Sequence, residues 1–134
     1  MAKKQVTVIL DSCIILEEWT SAGVVQGLRY AGKSFKTFNA VTKQWQQTWV
    51  DNTGGSTEYL SGKSEKDNIV FKTGRFKFHP DTMAIRKLSF YKLSDDRVRQ
   101  HDEISKDDEK TWTTDAFLIT GGRNDKRLQL AVAN

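Results

Sequence analysis

Short strand-like runs alternate with turn signals along almost the whole chain of 134 residues. About ten runs rich in β-branched and aromatic residues recur at a spacing of roughly 8–12 residues, which is typical of a β-sandwich or a β-barrel. No stretch holds the i, i+3, i+4, i+7 apolar pattern of an amphipathic helix. Because the loops are short, neighbouring runs are predicted to pair as antiparallel hairpins, and closure into a barrel would leave no bare edges. The predicted strands are Gln5–Leu10, Cys13–Trp19, Lys33–Phe38, Gln44–Val50, Ser56–Leu60, Asn68–Lys72, Arg75–His79, Ile85–Lys92, Arg97–Ile104 and Thr111–Thr120.

The composition fits one domain over residues 1–134, with no internal repeat, linker or boundary. Hydrophobic residues make up 37% of the chain and charged residues 28%, which allows one core beneath a heavily charged surface. The net charge of +4 comes from scattered basic residues with acidic residues among them. A nucleic-acid interface would show a basic stripe with little acid nearby, so no nucleic-acid partner is expected.

Targeting signals and disulfides are also absent from the sequence pattern. No apolar run approaches the ~20 residues of a membrane helix, and the apolar segment after Met1 is too short for a signal peptide. We therefore expect a cytoplasmic protein with no membrane partner. Cys13 is the only cysteine and begins an apolar run, which predicts a buried, inert thiol.

The segment from Trp45 to Gly55 combines two tryptophans with a strong turn signal. At strand period, Trp45, Gln47 and Trp49 share one face, and the turn Asp-Asn-Thr-Gly-Gly follows. Two indoles flanking an amide suit the wall of a mixed apolar and polar cavity. The alternative is that the indoles only fill the core and that Gln47 satisfies backbone or a buried water. Both interpretations place Trp45 and Trp49 together in the interior.

A second candidate wall lies on the strand that holds Glu17 and Trp19. These residues share a face with Ile15, so an inward face would bring a carboxylate into the barrel beside an indole. A buried glutamate requires a partner or a raised pKa. Arg99 is a candidate partner, and Glu103 shares the face of Arg99 on its own strand. Glu17 is therefore predicted to be functional or ion-paired.

The orientation of the strand Arg97–Ile104 remains open between two interpretations. In one, Arg99 and Glu103 point inward and contribute to the cavity. In the other, Val98, Gln100 and Ile104 point inward, which hydrophobic alternation alone favours.

Metal, cofactor and catalytic signatures are weak. His79 and His101 are the only histidines, and no His-x-His or Glu-x-x-His pattern exists, so no metal is predicted. The sequence has no Gly-rich phosphate loop, nucleophile elbow or P-loop, so no cofactor and no catalytic residue is assigned.

Several motifs, in order, resemble a bacterial calycin-like family of unknown function, whose members are small lipocalin-like β-barrels. The resemblance covers about three quarters of the chain, and the tryptophan segment carries its closest match. It implies an antiparallel calycin-like barrel of about 8–10 strands and favours an inward Arg99 and Glu103. The matching pieces are Cys13–Trp19, Gly32–Phe38, Trp45–Asp51 with Gly54 and Gly55, Gly62 with Ile69–Phe71, and Arg97–Gln100 with Glu103, Ser105 and Lys110–Trp112.

The chain departs from the family pattern at three places. Lys36 stands where an Asn is usual and Asp102 where a Trp is common, and both positions could line or cover a cavity. Family members usually begin with an extra strand of the type Phe-x-x-Trp-x-Gly-x-Trp, which nothing before Gln5 resembles. The resemblance therefore implies a barrel one strand short, which the tail Leu128–Val132 could fill. Because unpaired edges invite pairing with another chain, a homodimer is expected.

The run Ser105–Trp112 resembles the Asp-box hairpin, Ser-x-Asp-x-Gly-x-Thr-Trp. In that turn, the Asp and Ser side chains hold the loop backbone. Glu109 replaces the glycine here, so the backbone must differ or tolerate strain.

The function predicted from these features is binding of a small apolar or aromatic molecule inside the barrel. Glu17, Trp19, Trp45, Gln47, Trp49, Arg99 and Glu103 are the candidate ligand-binding residues. The alternatives are an enzyme of unrecognised type that uses Glu17 or Glu103, and a structural protein with a filled barrel.

Overall fold

The computed structural model describes residues 3–11, 13–24, 26–94, 97–121 and 129–131. These residues form eleven β-strands and no helix, which confirms the all-β prediction. Every strand pairing is antiparallel, which follows from connections too short for crossovers. The strands are β1 (Lys3–Ile9), β2 (Ile14–Thr20), β3 (Ala31–Asn39), β4 (Gln44–Asp51), β5 (Ser56–Glu65), β6 (Asn68–Thr73), β7 (Phe76–His79), β8 (Thr82–Ser94), β9 (Arg97–Ser105), β10 (Thr113–Gly121) and β11 (Gln129–Ala131).

Ten of the strands form one path, in the order β1-β2-β3-β4-β5-β6-β8-β9-β10-β11, and β7 pairs only with β8. Within the described ranges, β1 and β11 end this path and do not pair with each other. The predicted barrel is therefore an open antiparallel sheet, because closure requires a hydrogen-bonded ladder between the first and last strands. The predicted tail strand is represented by β11, and Leu128 and Val132 lie outside the described residues.

The sheet curves around its inner face. Lys36 extends from β3 across the sheet, and its Nζ lies 5.1 Å from the ring centroid of Phe90 on β8. Side chains of β2 and β9 also line one cavity, although five strands lie between them along the path. This curvature gives the sheet a concave face that holds the core and the cavity.

The core is a small cluster on the concave face, beside the cavity. Tyr59, Phe71 and Leu88 are buried, and Trp45 packs against them together with Ile69 and Phe90. The Phe71 ring is completely buried and makes edge-to-face contacts with Tyr59 and Phe90. Such contacts between aromatic rings stabilise a core beyond simple burial.

The hairpin between β1 and β2 corrects one prediction from the sequence. Ile9 pairs directly with Ile14, so Cys13 belongs to the turn and is exposed rather than buried. Leu10 and Asp11 adopt positive φ angles of 50° and 53°, which turns the chain before the predicted strand start. The apolar run that suggested burial begins its strand one residue later.

The Asp-box resemblance describes the β9–β10 hairpin well. Asp107 Oδ1 accepts hydrogen bonds from Ser105 Oγ at 2.9 Å and from the Thr111 amide at 2.8 Å. The Thr111 hydroxyl also donates to Asp107 Oδ2, and the bonds from Thr111 and Ser105 together lower the pKa of Asp107 to about 2. Glu109 takes the left-handed conformation, with φ 66°, at the position where the motif has glycine. The turn therefore keeps its backbone and places a non-glycine residue in a sparsely populated region.

Candidate functional site

The concave face holds a cavity of about 410 Å³. It opens between two walls, one built from β2, β4 and the segment before β3, the other from β8, β9 and β10. Its described lining residues are Glu17, Trp19, Tyr30, Gln47, Trp49, Asp51, Thr57, Tyr59, Arg86, Leu88, Phe90, Gln100, Asp102 and Asp115.

Three aromatic rings form the first wall. Trp19 and Tyr30 meet edge to face with centroids 5.5 Å apart, and Tyr30 lies 6.4 Å from Trp49. Trp49 fits because Gly32 on the neighbouring strand has no side chain: a Cβ there would lie 2.2 Å from the indole Cζ2. The glycine thus allows the indole to lie across the β3 backbone.

Asp51 fixes this wall at the end of β4. Its Oδ2 accepts hydrogen bonds from the Tyr30 hydroxyl at 2.9 Å and from Trp49 Nε1 at 3.1 Å. Its Oδ1 accepts the Thr53 amide at 2.9 Å and the Gly55 amide at 3.3 Å. Although burial alone would raise it, hydrogen bonds from the Thr53 hydroxyl and amide, together with those from Tyr30 and Trp49, hold the pKa of Asp51 at about 2. The residue at the turn that ends the tryptophan strand therefore also orients two aromatic rings of the first wall, those of Tyr30 and Trp49.

Glu17 lies between two lysines at the other side of this wall. Its Oε2 contacts Lys4 Nζ at 3.2 Å and Lys36 Nζ at 3.3 Å, and only 7% of the residue is exposed. Burial opposes ionisation of Glu17, but the two ammonium groups outweigh it and lower its pKa. Burial lowers the pKa of Lys36, and the positive charge of Lys4 adds to this shift, while the Glu17 carboxylate opposes it. The predicted ion pair of Glu17 is present, with Lys4 and Lys36 in place of Arg99.

The second wall holds a guanidinium shared by two carboxylates. Arg86 Nη1 contacts Asp102 Oδ2 at 3.2 Å and Asp115 Oδ2 at 2.5 Å. Asp115 sits at a break in register between Thr114 and Ala116, where a β-bulge changes the direction of the side chain. Burial raises the pKa of Asp102 to about 6, with Arg86 opposing and Asp115 adding to the shift.

The structure brings four of the seven predicted residues to the cavity: Glu17, Trp19, Gln47 and Trp49. Trp45 shares their side of the sheet but packs on the core cluster and on Phe38, with ring centroids 5.5 Å apart. The two indoles of β4 therefore lie on one face, as the period-2 spacing predicts, and only one of them reaches the cavity.

Arg99 and Glu103 lie on the opposite, outer face of β9. The Arg99 guanidinium stacks 4.4 Å from the Tyr91 ring centroid, and Glu103 pairs with Lys87 at 3.4 Å. The register places Gln100 beside Phe90 and Asp102 beside Leu88, so these two residues face inward. The family resemblance had favoured an inward orientation of Arg99 and Glu103, which is wrong. Hydrophobic alternation had favoured the opposite face of this strand, which the structure confirms.

Arg86 and Asp115 were missed at the sequence level. Arg86 lies on β8, which carries charged residues on both faces, so hydrophobic alternation does not indicate which way Arg86 points. The bulge at Asp115 interrupts the regular alternation of side chains along β10. Asp102 had one signal, since it replaces an aromatic residue of the family pattern at a position expected to line a cavity.

The raised pKa of Asp102 predicts a pH dependence of stability. Its folded pKa is about 6, above the ordinary unfolded value of about 3.9. The folded state therefore binds the proton more tightly, and this residue's contribution to stability falls as pH rises from about 4 to about 6. The loss amounts to as much as ~3 kcal/mol. Asp102→Asn should remove this slope in denaturant unfolding measured across that range, and an unchanged slope would contradict the assignment.

Comparisons of the chain with protein-family models, with curated proteins and with solved structures found no match. Among the described residues, no group of three or more His, Cys, Asp or Glu side chains is arranged to hold a metal ion. Nor do these residues contain a helix with the length and apolar character that crossing a bilayer requires. The cavity is thus the feature from which function must be argued.

Proposed function

We propose that this protein binds a small molecule with an aromatic or apolar body in the cavity of its concave face. The observation that carries the proposal is the cavity itself, whose volume of about 410 Å³ lies within the ordinary range of ligand pockets. Aromatic rings supply most of its apolar surface, and polar and charged side chains lie between them, so the cavity offers both a surface for a ligand body and groups that orient it. Its five lining aromatic residues are Trp19, Tyr30, Trp49, Tyr59 and Phe90.

The proposed fold relationship is to calycin-like barrels, which hold one small ligand inside an up-and-down antiparallel sheet. The sequential strand order and the curvature around a cavity support it. We retain the cytoplasm as the expected compartment.

Native mass spectrometry of the purified protein tests the proposal directly. A bound molecule that is retained under gentle ionisation and released on activation is the expected result. Trp49→Ala removes one aromatic wall and should reduce retention, whereas Trp112→Ala removes an indole that packs near Lys87, outside the described cavity lining. Equal retention by both variants would argue against the cavity as the binding site.

An enzyme is the second candidate, and Asp102 is the observation that favours it. A carboxyl group with a pKa of about 6 in a cavity suits general acid–base catalysis. Glu17, the earlier candidate, has a lowered pKa and two lysine partners, which suits a structural ion pair better. Binding remains the preferred function because the described lining contains no serine, cysteine, histidine or lysine.

The homodimer stays a prediction, and β1 is the edge where we expect it. Val6 and Val8 are 56% and 57% exposed on this end strand, on the face that carries Glu17. Pairing of two copies along β1 would cover both valines and the open edge. Light scattering at micromolar concentration should give twice the chain mass of 15.3 kDa, and Val6→Lys should return the protein to a monomer. A wild-type monomer would refute the expectation.

A further inference from the structure

Three buried side-chain oxygens of residues that line the cavity have no hydrogen-bond donor among the described residues. They are Gln47 Oε1, Gln100 Oε1 and Asp102 Oδ1. Gln47 is only 4% exposed, so bulk solvent does not reach most of it. Buried acceptors in native proteins are almost always paired, and an unpaired one is unfavourable. The cavity therefore favours a ligand that brings hydrogen-bond donors.

The charge of the lining favours a cation. Four carboxylates line the cavity against one guanidinium: Glu17, Asp51, Asp102 and Asp115 against Arg86. The lysines that contact Glu17 reduce this excess of negative charge without removing it. The whole chain carries +4, so the cavity is opposite in sign to the protein around it. Such a site attracts cations and disfavours anions.

The aromatic wall is compatible with the same ligand. The rings of Trp19, Tyr30 and Trp49 can hold a flat apolar body, and the faces of such rings also attract a positive charge. A primary ammonium group carries one positive charge and three N–H donors. Within the described residues, three side chains of the cavity wall each carry an acceptor oxygen without a donor, and one of these is a carboxylate oxygen.

We propose that the cavity selects an aromatic amine, with the ring against Trp19 and Trp49 and the ammonium group toward Asp102, Gln47 and Gln100. This inference rests on the proposed binding function and adds the chemical class of the ligand. It assigns Asp102 the role of charge partner and the two glutamines the role of neutral acceptors.

Three probes with the same ring and different charge test the selectivity. They are 1-naphthylmethylamine (a cation), 1-naphthalenemethanol (neutral) and 1-naphthaleneacetate (a carboxylate anion), each titrated into the protein by calorimetry at neutral pH. The expected order of affinity is amine, then alcohol, then carboxylate, with the amine favoured over the carboxylate by about tenfold or more. Thermal melts of each variant used below confirm that it is folded.

Asp102→Asn keeps the shape of the side chain and removes its charge. It should weaken binding of the amine by about tenfold and change binding of the alcohol by less than about threefold. Glu103→Gln is the matched control, because it removes one negative charge from the neighbouring residue on the outer face. It should leave the affinity of all three probes nearly unchanged.

The outcomes separate this inference from the proposed function. If the alcohol or the carboxylate binds as tightly as the amine, the amine selectivity is refuted while small-molecule binding stands. Equal loss of amine affinity in Asp102→Asn and Glu103→Gln would show a general charge effect and refute the role of Asp102. If no probe binds at millimolar concentration, both the inference and the proposed binding of aromatic ligands are contradicted.

Discussion

Replacing Gly62 by alanine is expected to lower the free energy of unfolding by about 3 kcal/mol or more. A Cβ at this position would lie 2.5 Å from the carbonyl oxygen of Trp45 and 2.7 Å from the Phe71 ring. The carbonyl belongs to the backbone beside a break in the β4–β5 register, and Phe71 is completely buried. Neither group has space to move, so the added methyl group must distort the core. Denaturant unfolding measures the effect.

Gly74→Ala is the control for the loss of glycine itself. Its Cβ would meet no atom within 4 Å, and its φ lies outside the left-handed region. This variant should be as stable as the wild type or slightly more stable, because alanine restricts the unfolded chain. If Gly62→Ala unfolds at the same denaturant concentration as Gly74→Ala, the close packing of Phe71 on β5 is refuted.

Replacing Glu17 by glutamine should lower the free energy of unfolding by about 3–5 kcal/mol at neutral pH. The substitution leaves the ammonium groups of Lys4 and Lys36 buried without their shared carboxylate, at 15% and 13% side-chain exposure. Glu18→Gln is the matched control, because Glu18 and its partner Lys33 are 39% and 55% exposed. Exposed pairs contribute about 1 kcal/mol or less.

The pH dependence gives the Glu17 prediction a second measurement. The pKa of Glu17 is lowered in the folded state, so its contribution is present above the ordinary unfolded value of about 4.3. The contribution is lost as the pH falls through the folded pKa, and Glu17→Gln should lack this loss. Adding Lys36→Met should restore part of the stability by removing one unpaired charge. If the double variant is no more stable than Glu17→Gln, the unpaired charge of Lys36 is not the cause of the lost stability.

The strands were largely predictable because their signals are local. Alternation and turn residues gave β4 within one residue and β9 within one residue of the observed ends. The period-2 alternation of side chains also correctly grouped Gln47 with Trp49, and Glu17 with Trp19, since successive strand residues point to opposite faces. Turn chemistry also predicted the Asp107 hairpin, although the sequence alone left open how Glu109 fits it.

The tertiary structure decided which strand faces meet. Neighbours in sequence do not determine that Lys4 and Lys36 both reach Glu17, because this depends on the registers of β1 and β3 against β2. The orientation of Asp102 depends on its pairing with Leu88, and the cavity exists only because the sheet curves to bring β2 and β9 together. Which residues of a strand share a face is determined within a few residues of sequence, because side chains alternate. The register between strands and the curvature of the sheet arise from contacts between distant segments of the chain.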